Sequence, residues 1–117
     1  GAYTMTGGAD EDRRDRYIYF NIAESGVGDG NRDVITDFVS GEDRIEIRRF
    51  DADTTQGNKQ YFDFVGDAGL SGAAGELAYV HEGGNTIVQA DVDGDGLADF
   101  EIELTGVMEL VVDDFLI

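Results

Sequence analysis

Residues 91–99, DVDGDGLAD, constrain the fold of this chain more than any other segment. Before them, apolar and polar residues alternate over 88–92, and after them the alternation resumes over 99–104. A period of two places successive side chains on opposite faces of a β-strand. The flanks therefore predict the two strands of a β-hairpin, and the acidic, glycine-containing segment between them predicts its connecting loop.

The rest of the chain also has the pattern of an all-β protein. Its 17 glycines fall between short β-rich segments, and no long apolar stripe has the helical period of 3.6. We predict one all-β domain, a β-sandwich or a β-roll-cap-like fold of about eight short strands. Residues 66–76 predict a loop with one turn. The predicted strands are residues 17–21, 33–38, 44–49, 61–65, 76–81, 86–92, 99–104 and 109–112.

The length sets the domain organisation. With 117 residues, the chain has room for a single domain with a modest core. Residues 1–16 are polar and charged, and we predict that they form a lead-in to a β domain over 17–117.

The charge is strongly acidic, with 26 Asp and Glu against eight Lys and Arg and a formal net charge of −18. No Lys or Arg follows Lys59, so cations, protonation or dispersal must relieve the repulsion in the second half. Nucleic acid is a poor partner because phosphate binding needs a basic face. A divalent cation is favoured, and without Cys it must be a hard ion on oxygen ligands. No apolar run approaches the roughly 18 residues that a membrane span requires.

The loop at 91–99 predicts a calcium site. It has Asp at its first, third, fifth and ninth positions and Gly at its sixth, where an oxygen-rich loop turns sharply. The twelfth position is Ile102, where an EF-hand needs a bidentate Glu, so the loop is not an EF-hand. The alternative is an acidic hairpin turn that is merely solvated. The spacing resembles the calcium loops in the β-hairpins of integrin α-chain propellers. That resemblance implies Ca²⁺ ligands on Asp91, Asp93, Asp95 and Asp99 and the main-chain carbonyl of Leu97.

Three other segments carry a second resemblance. Residues 30–38, GNRDVITDF, are followed by GEDRIEI at 41–47, and the chain ends in VDDFLI. These segments resemble the C-terminal domain of serralysin-type (M10) metalloproteases and of other RTX exoproteins. The ending is similar to the Asp-preceded, apolar ends of type I secretion substrates.

The resemblance implies a secreted, extracellular, non-catalytic module that follows a calcium β-roll and supports calcium-dependent folding and type I secretion. Its implied partners are calcium, the type I secretion machinery and an upstream domain of the same polypeptide. The implied secretion signal is Asp113, Asp114, Phe115, Leu116 and Ile117.

A degenerate RTX-like half-repeat begins the chain. Residues 7–12, GGADED, start like the RTX nonapeptide, but Asp10 stands where a second turn glycine belongs. Asp12 is therefore a secondary metal candidate, and residues 15–20 give an alternative register. Asp51 and Asp53 are a second such candidate, with an Asx-rich turn as the alternative.

The remaining acidic pairs have two interpretations each. Glu101 and Glu103 could serve as a glycosidase pair, but a solvated strand face is the favoured interpretation. Asp33 and Asp37 could cap a preceding calcium roll or could simply face water.

No catalytic constellation is visible in the sequence. His81 is the only histidine, the zinc-protease pattern His-Glu-x-x-His is absent, and no Cys or paired Ser offers a nucleophile. We therefore predict a protein that is not an enzyme. The second hypothesis is a calcium-stabilised carbohydrate-binding or adhesion module, which a planar row of Tyr on one exposed sheet face would support. The candidates for a glycan surface are Tyr3, Tyr17, Tyr19, Tyr61 and Tyr79.

Overall fold

The computed structural model describes residues 4–5, 16–20, 22, 25–28, 32–57, 59–67 and 69–117. It confirms the all-β fold class. The strands are β1 (Thr4–Met5), β2 (Arg16–Ile18), β3 (Asp33–Ile35), β4 (Arg44–Glu46), β5 (Asp63–Gly66), β6 (Glu76–Glu82), β7 (Asn85–Asp91), β8 (Phe100–Leu104) and β9 (Phe115–Leu116). No helix within these described ranges is long and apolar enough to cross a membrane.

The strands form two sheets. The larger has the order β1-β3-β8-β7-β6-β5, and the smaller has the order β2-β4-β9. From β1 to β4 the chain alternates between the sheets, so that β3 lies parallel to β1 and β4 lies parallel to β2. This arrangement is a parallel coil. In contrast, β6, β7 and β8 form an antiparallel meander within the larger sheet.

Both sheets contribute to one core. Phe100, Ile102 and Leu104 of β8 are fully buried, as the alternation in the sequence predicts. Ring contacts link the two sheets across this core. The Tyr19 ring lies edge-on to the Phe100 ring with the ring centroids 5.1 Å apart, and the ring centroids of Phe64 and Phe115 are 5.2 Å apart. Burying large apolar side chains in this way is the main favourable term in folding.

One predicted strand is wrong. Residues 109–112 do not form a strand, and a 3₁₀ helix covers Val112–Asp114 instead. Val111 and Val112 are about half exposed, with relative accessibilities of 53% and 52%. Asp114 is fully buried and accepts the N–H of Val111 at 2.8 Å, which turns the chain here. The final strand is therefore β9, further along the chain.

The N-terminal strand lies within the segment interpreted as a polar lead-in. β1 pairs in parallel with β3, with Thr4 opposite Val34 and Met5 opposite Ile35. The half-repeat at residues 7–12, including Asp12, lies outside the described residues.

Candidate metal centre

The predicted hairpin is confirmed. β7 ends at Asp91 and β8 begins at Phe100, with Ala90 paired to Phe100 across the antiparallel ladder. The N–H of Asp99 donates to the Ala90 carbonyl at 2.7 Å, and one carboxylate oxygen of Asp99 accepts the Val92 N–H at 2.9 Å. The loop therefore starts and ends at acidic residues that face each other across the strand pair.

Four carboxylates converge in this loop. One oxygen from each of Asp91, Asp93, Asp95 and Asp99 lies within 4.8 Å of the others. Asp91 is fully buried, whereas Asp93 and Asp95 are exposed. Within the described ranges, no second group of three or more such side chains converges in this way.

Main-chain N–H groups hold these carboxylates in place. Asp91 accepts the N–H of Gly94 at 2.8 Å on one oxygen and that of Gly96 at 2.9 Å on the other. Asp95 accepts the N–H of Leu97 at 2.9 Å. Such Asx-type contacts wind the backbone around the cluster. The Leu97 side chain is a hydrocarbon without a donor atom, so the carbonyl is the group of Leu97 that could serve as a ligand.

The loop is supported by the segment that precedes β6. Gly94 has φ +80°, and a Cβ placed there would lie 3.3 Å from the backbone N of Ala74 and 3.4 Å from the carbonyl oxygen of Gly72. The N–H of Gly75 donates to the Asp91 carbonyl at 2.7 Å. The sequence predicted a loop at 66–76 but not its contact with the acidic loop. The spacing of the glycines in 66–76 is the only sequence signal for that contact.

Two carboxyl groups of the cluster have pKa values that differ from their usual values. Burial would raise the pKa of Asp91, but hydrogen bonds from Gly94 and Gly96 outweigh burial and hold that pKa below its usual value. Desolvation and the neighbouring Asp95 and Asp91 carboxyls raise the pKa of Asp93 to about 6. One carboxyl of the ion-free loop therefore retains a proton under mildly acidic conditions, and a bound cation would displace it.

The donor set fits a hard divalent cation. All four side chains offer carboxylate oxygens, and Ca²⁺ takes six to eight such ligands in flexible geometry. Without a cation, like charges this close oppose one another. The residues present are therefore of the kind that a calcium site requires.

Comparison with protein families identifies the chain. A family model described as Peptidase M10 serralysin C terminal matches residues 6–117. The chain belongs to the serralysin C-terminal family. Proteins of the serralysin family are secreted, and membership supports a C-terminal module of a secreted M10 protease. No curated protein matches the chain in a direct sequence search.

The second candidate metal pair of this serralysin C-terminal domain has local partners. Asp51 accepts the N–H groups of Asp53 at 3.1 Å and Gln60 at 2.9 Å. Asp53 accepts the N–H of Thr55 at 2.9 Å and the side-chain amide of Gln56 at 2.9 Å. The Thr55 and Gln56 side chains lower the pKa of Asp53. These contacts are those of an Asx-rich turn, and no third acidic ligand joins the pair within the described ranges.

The predicted solvated face at Glu101 and Glu103 is wrong. Arg32 is 7% exposed and bonds to Glu101 at 3.0 Å and to Glu103 at 2.9 Å. Burial would raise the pKa of Glu101, but the Gly28 N–H, the Gln89 amide and Arg32 hold it below its usual value. A glycosidase general acid needs a raised pKa, so Glu101 does not fit that role.

The other acidic residues singled out in the sequence also have partners. Asp33 is buried and accepts the Tyr19 hydroxyl at 3.0 Å, and Asp37 accepts the Tyr17 hydroxyl at 3.2 Å. Neither residue simply faces water. His81 lies near the end of β6, is exposed and bonds to the Met108 carbonyl at 2.7 Å, as expected for a polar residue at a strand end.

The tyrosines do not form an exposed row in the described part of the chain. Tyr19 and Tyr79 are buried, and Tyr17 is half-buried. Tyr61 is 62% exposed. Tyr3 lies outside the described residues. The surface that a glycan-binding module would need is therefore not formed by these four side chains.

The C-terminal residues belong to the folded structure. Phe115 is buried in the core, and β9 pairs with β4 through Ile45↔Phe115 and Glu46↔Leu116. Asp114 accepts the Ser40 hydroxyl at 2.7 Å and the Gly41 N–H at 2.8 Å. Asp113 is exposed, and Leu116 and Ile117 are half-buried.

Proposed function

We propose that this chain is the non-catalytic, calcium-binding C-terminal module of an RTX-type secreted protease, and that calcium drives its folding outside the cell. The convergence of four carboxylates within 4.8 Å at the β7–β8 loop carries this proposal. Family membership supports it independently, because serralysin proteins are secreted and their catalytic part is a different domain.

Calcium is favoured over magnesium by the type of loop. The ligands would be the side chains of Asp91, Asp93, Asp95 and Asp99 with the carbonyl of Leu97. These groups come from nine consecutive residues of a surface loop, which suits the larger and more flexible coordination shell of Ca²⁺. Mg²⁺ demands a strict octahedron and keeps several waters.

Folding that depends on calcium follows from the charge. The chain has a formal net charge of −18, and no Lys or Arg lies beyond residue 59. Mutual repulsion of the acidic side chains opposes the compact state until cations are bound. External calcium would then make folding a consequence of arrival outside the cell.

An upstream domain of the same polypeptide is a proposed partner. Among the described strands, β1 and β2 lie at the ends of their sheets, and both belong to the parallel coil. The end of a sheet is the position at which a further strand can be added. A preceding calcium β-roll could continue the coil by pairing with these edges.

Substitution of the central ligands tests the metal site. Asp95→Ala or Asp91→Ala should abolish calcium binding at the loop, because each removes a carboxylate from the cluster. Asp51→Ala should leave the calcium titration unchanged, since Asp51 caps a turn. Calorimetric titration of the three variants checks this ranking, and equal losses in all three would contradict it.

Export tests the proposed type I signal at 113–117. Deletion of these residues should abolish export of a fused passenger through a matching type I transporter. The deletion also removes β9, so Ile45→Ala is the matched control: it damages the buried partner of Phe115 but leaves the ending intact. If the Ile45→Ala variant is exported and the deletion variant stays inside the cell, the result would support a signal that is read before folding. Normal export of the deletion would place the signal elsewhere.

A further inference from the structure

Glu101 lies one cross-strand pair away from the candidate metal centre. The antiparallel register pairs Gln89 with Glu101, next to the Ala90–Phe100 pair that closes the loop. Glu101 has the same strand parity as Asp99, whereas Phe100 and Ile102 point into the core. The metal loop and Glu101 therefore share the outer face of the larger sheet.

Three different parts of the chain bind the Glu101 side chain. One oxygen accepts the Gly28 N–H at 2.9 Å and an Arg32 guanidinium N–H at 3.0 Å. The other accepts the Gln89 side-chain amide at 2.9 Å. Glu101 is 6% exposed, so these bonds replace water around a buried charge.

The main chain of Glu101 is held as well. Its carbonyl accepts the hydroxyl of Ser25, and the Ser25 oxygen accepts the N–H of Asp33 at 2.8 Å. Ser25 is fully buried. Hydrogen bonds to the side chain and the backbone of Glu101 thus hold residues 25–28 and 32–33 against β8.

Arg32 extends this contact along β8. Its guanidinium bonds to Glu103 with N–O distances of 2.9 and 3.1 Å, in addition to its bond to Glu101. The outer face of the hairpin therefore carries two groups of carboxylates. Arg32 offsets part of the charge of the pair on β8, whereas no Lys or Arg of the described ranges forms an ion pair with the Asp loop.

We propose that Arg32 and Glu101 are positioning residues for the metal centre, so that ion binding and the docking of residues 25–28 and 32–33 stabilise each other. This inference rests on the proposed calcium function. An ion that joins Asp91 to Asp99 holds the end of the hairpin closed at the Ala90–Phe100 pair, and the Gln89–Glu101 pair is the next one along the ladder. Conversely, Arg32 and Ser25 fix β8 in the register that presents Asp99 to the loop. Coupling between two binding events is reciprocal.

Two substitutions of Arg32 separate positioning from simple charge. Arg32→Lys keeps the charge but loses the forked geometry that reaches both glutamates. Arg32→Gln removes a positive charge near an acidic site, which by Coulomb attraction alone would tighten calcium binding. We expect both variants to bind calcium about 10-fold more weakly, towards the lower end of the range that is typical of coupled sites.

Matched controls accompany these variants. Arg48→Gln removes the same charge from a side chain that is 47% exposed and that follows β4 in the other sheet. Its calcium Kd should stay within about twofold of the wild type, because screening weakens distant charges. Ser25→Ala alters no charge and tests the same docking contact if an Arg32 variant does not fold. It should weaken calcium binding in the same direction.

Hydrogen exchange tests the reciprocal effect. Calcium should increase the protection of the Gly28 and Asp33 amides, which donate to Glu101 and Ser25, and Arg32→Lys should reduce that gain about 10-fold. Wild-type calcium affinity in Arg32→Lys and Ser25→Ala, or tighter binding in Arg32→Gln, would overturn the coupling alone. Absence of calcium binding by the wild type would refute the proposed function and the coupling together.

Discussion

Calcium at a hundredfold excess over its Kd should raise the free energy of unfolding of this domain by about 2.7 kcal/mol. The native hairpin brings the carboxylates of the loop at 91–99 together, so calcium should bind the folded state in preference to the unfolded chain. For a chain of this length, the melting temperature should rise by about 10 °C. Thermal unfolding followed by circular dichroism, with calcium and with chelator, measures the shift.

Two controls make the calcium result specific. Asp95→Ala should melt at the same temperature with calcium and with chelator, because its cluster has lost one carboxylate. Magnesium should give a smaller shift with the wild type, since the loop favours a larger shell. A wild-type melting temperature that is equal in calcium and in chelator would contradict the proposed function.

Phe115→Ala should lower the free energy of unfolding by about 3–5 kcal/mol, the usual cost of removing a buried Phe ring. Phe115 is 4% exposed and lies 5.2 Å from the Phe64 ring, between the two sheets. The same substitution at Phe20, which is 59% exposed, should cost much less. Denaturant unfolding in saturating calcium compares the two variants.

The stability of variants at 113–117 also separates the structural role of the chain end from its proposed role in export. Asp113 is exposed, so Asp113→Ala should change stability by less than about 0.5 kcal/mol. If Phe115→Ala were as stable as the wild type, the ending would not be part of the core. The burial of β9 against β4 would then be wrong.

The convergence of the four carboxylates in the β7–β8 loop could be predicted from the sequence because its geometry is local. Carboxylates at fixed spacing and a glycine at the sixth position lie within nine residues, and alternating flanks define the hairpin. The same alternation identified Phe100, Ile102 and Leu104 as core residues. Short-range spacing therefore predicted both the carboxylate cluster and the strands that hold it.

Long-range contacts could not be predicted in this way. Arg32 bonds to Glu101, which is 69 positions away in the sequence. Likewise, β1 pairs in parallel with β3, and β2 pairs in parallel with β4. Alternation assigns Glu101 and Glu103 to the outer face but does not reveal that another segment covers that face. The solvated interpretation failed for this reason.

The incorrect strand at 109–112 has a different cause. Val111 and Val112 have high β propensity, but half of their surface is exposed. The buried Asp114 side chain binds Val111 and Gly41 and replaces a strand ladder with a turn. A side chain that satisfies main-chain groups in this way overrides local propensity.

The most direct test of the calcium site is a crystal structure of the domain grown with calcium, with anomalous diffraction used to locate the ion. We predict one anomalous peak in the loop between β7 and β8, at about 2.3–2.6 Å from its oxygen ligands. Those ligands should be carboxylate oxygens of Asp91, Asp93, Asp95 and Asp99 and the carbonyl of Leu97. An ordered loop without a peak at millimolar calcium, or a peak only at Asp51 and Asp53, would contradict the proposed site.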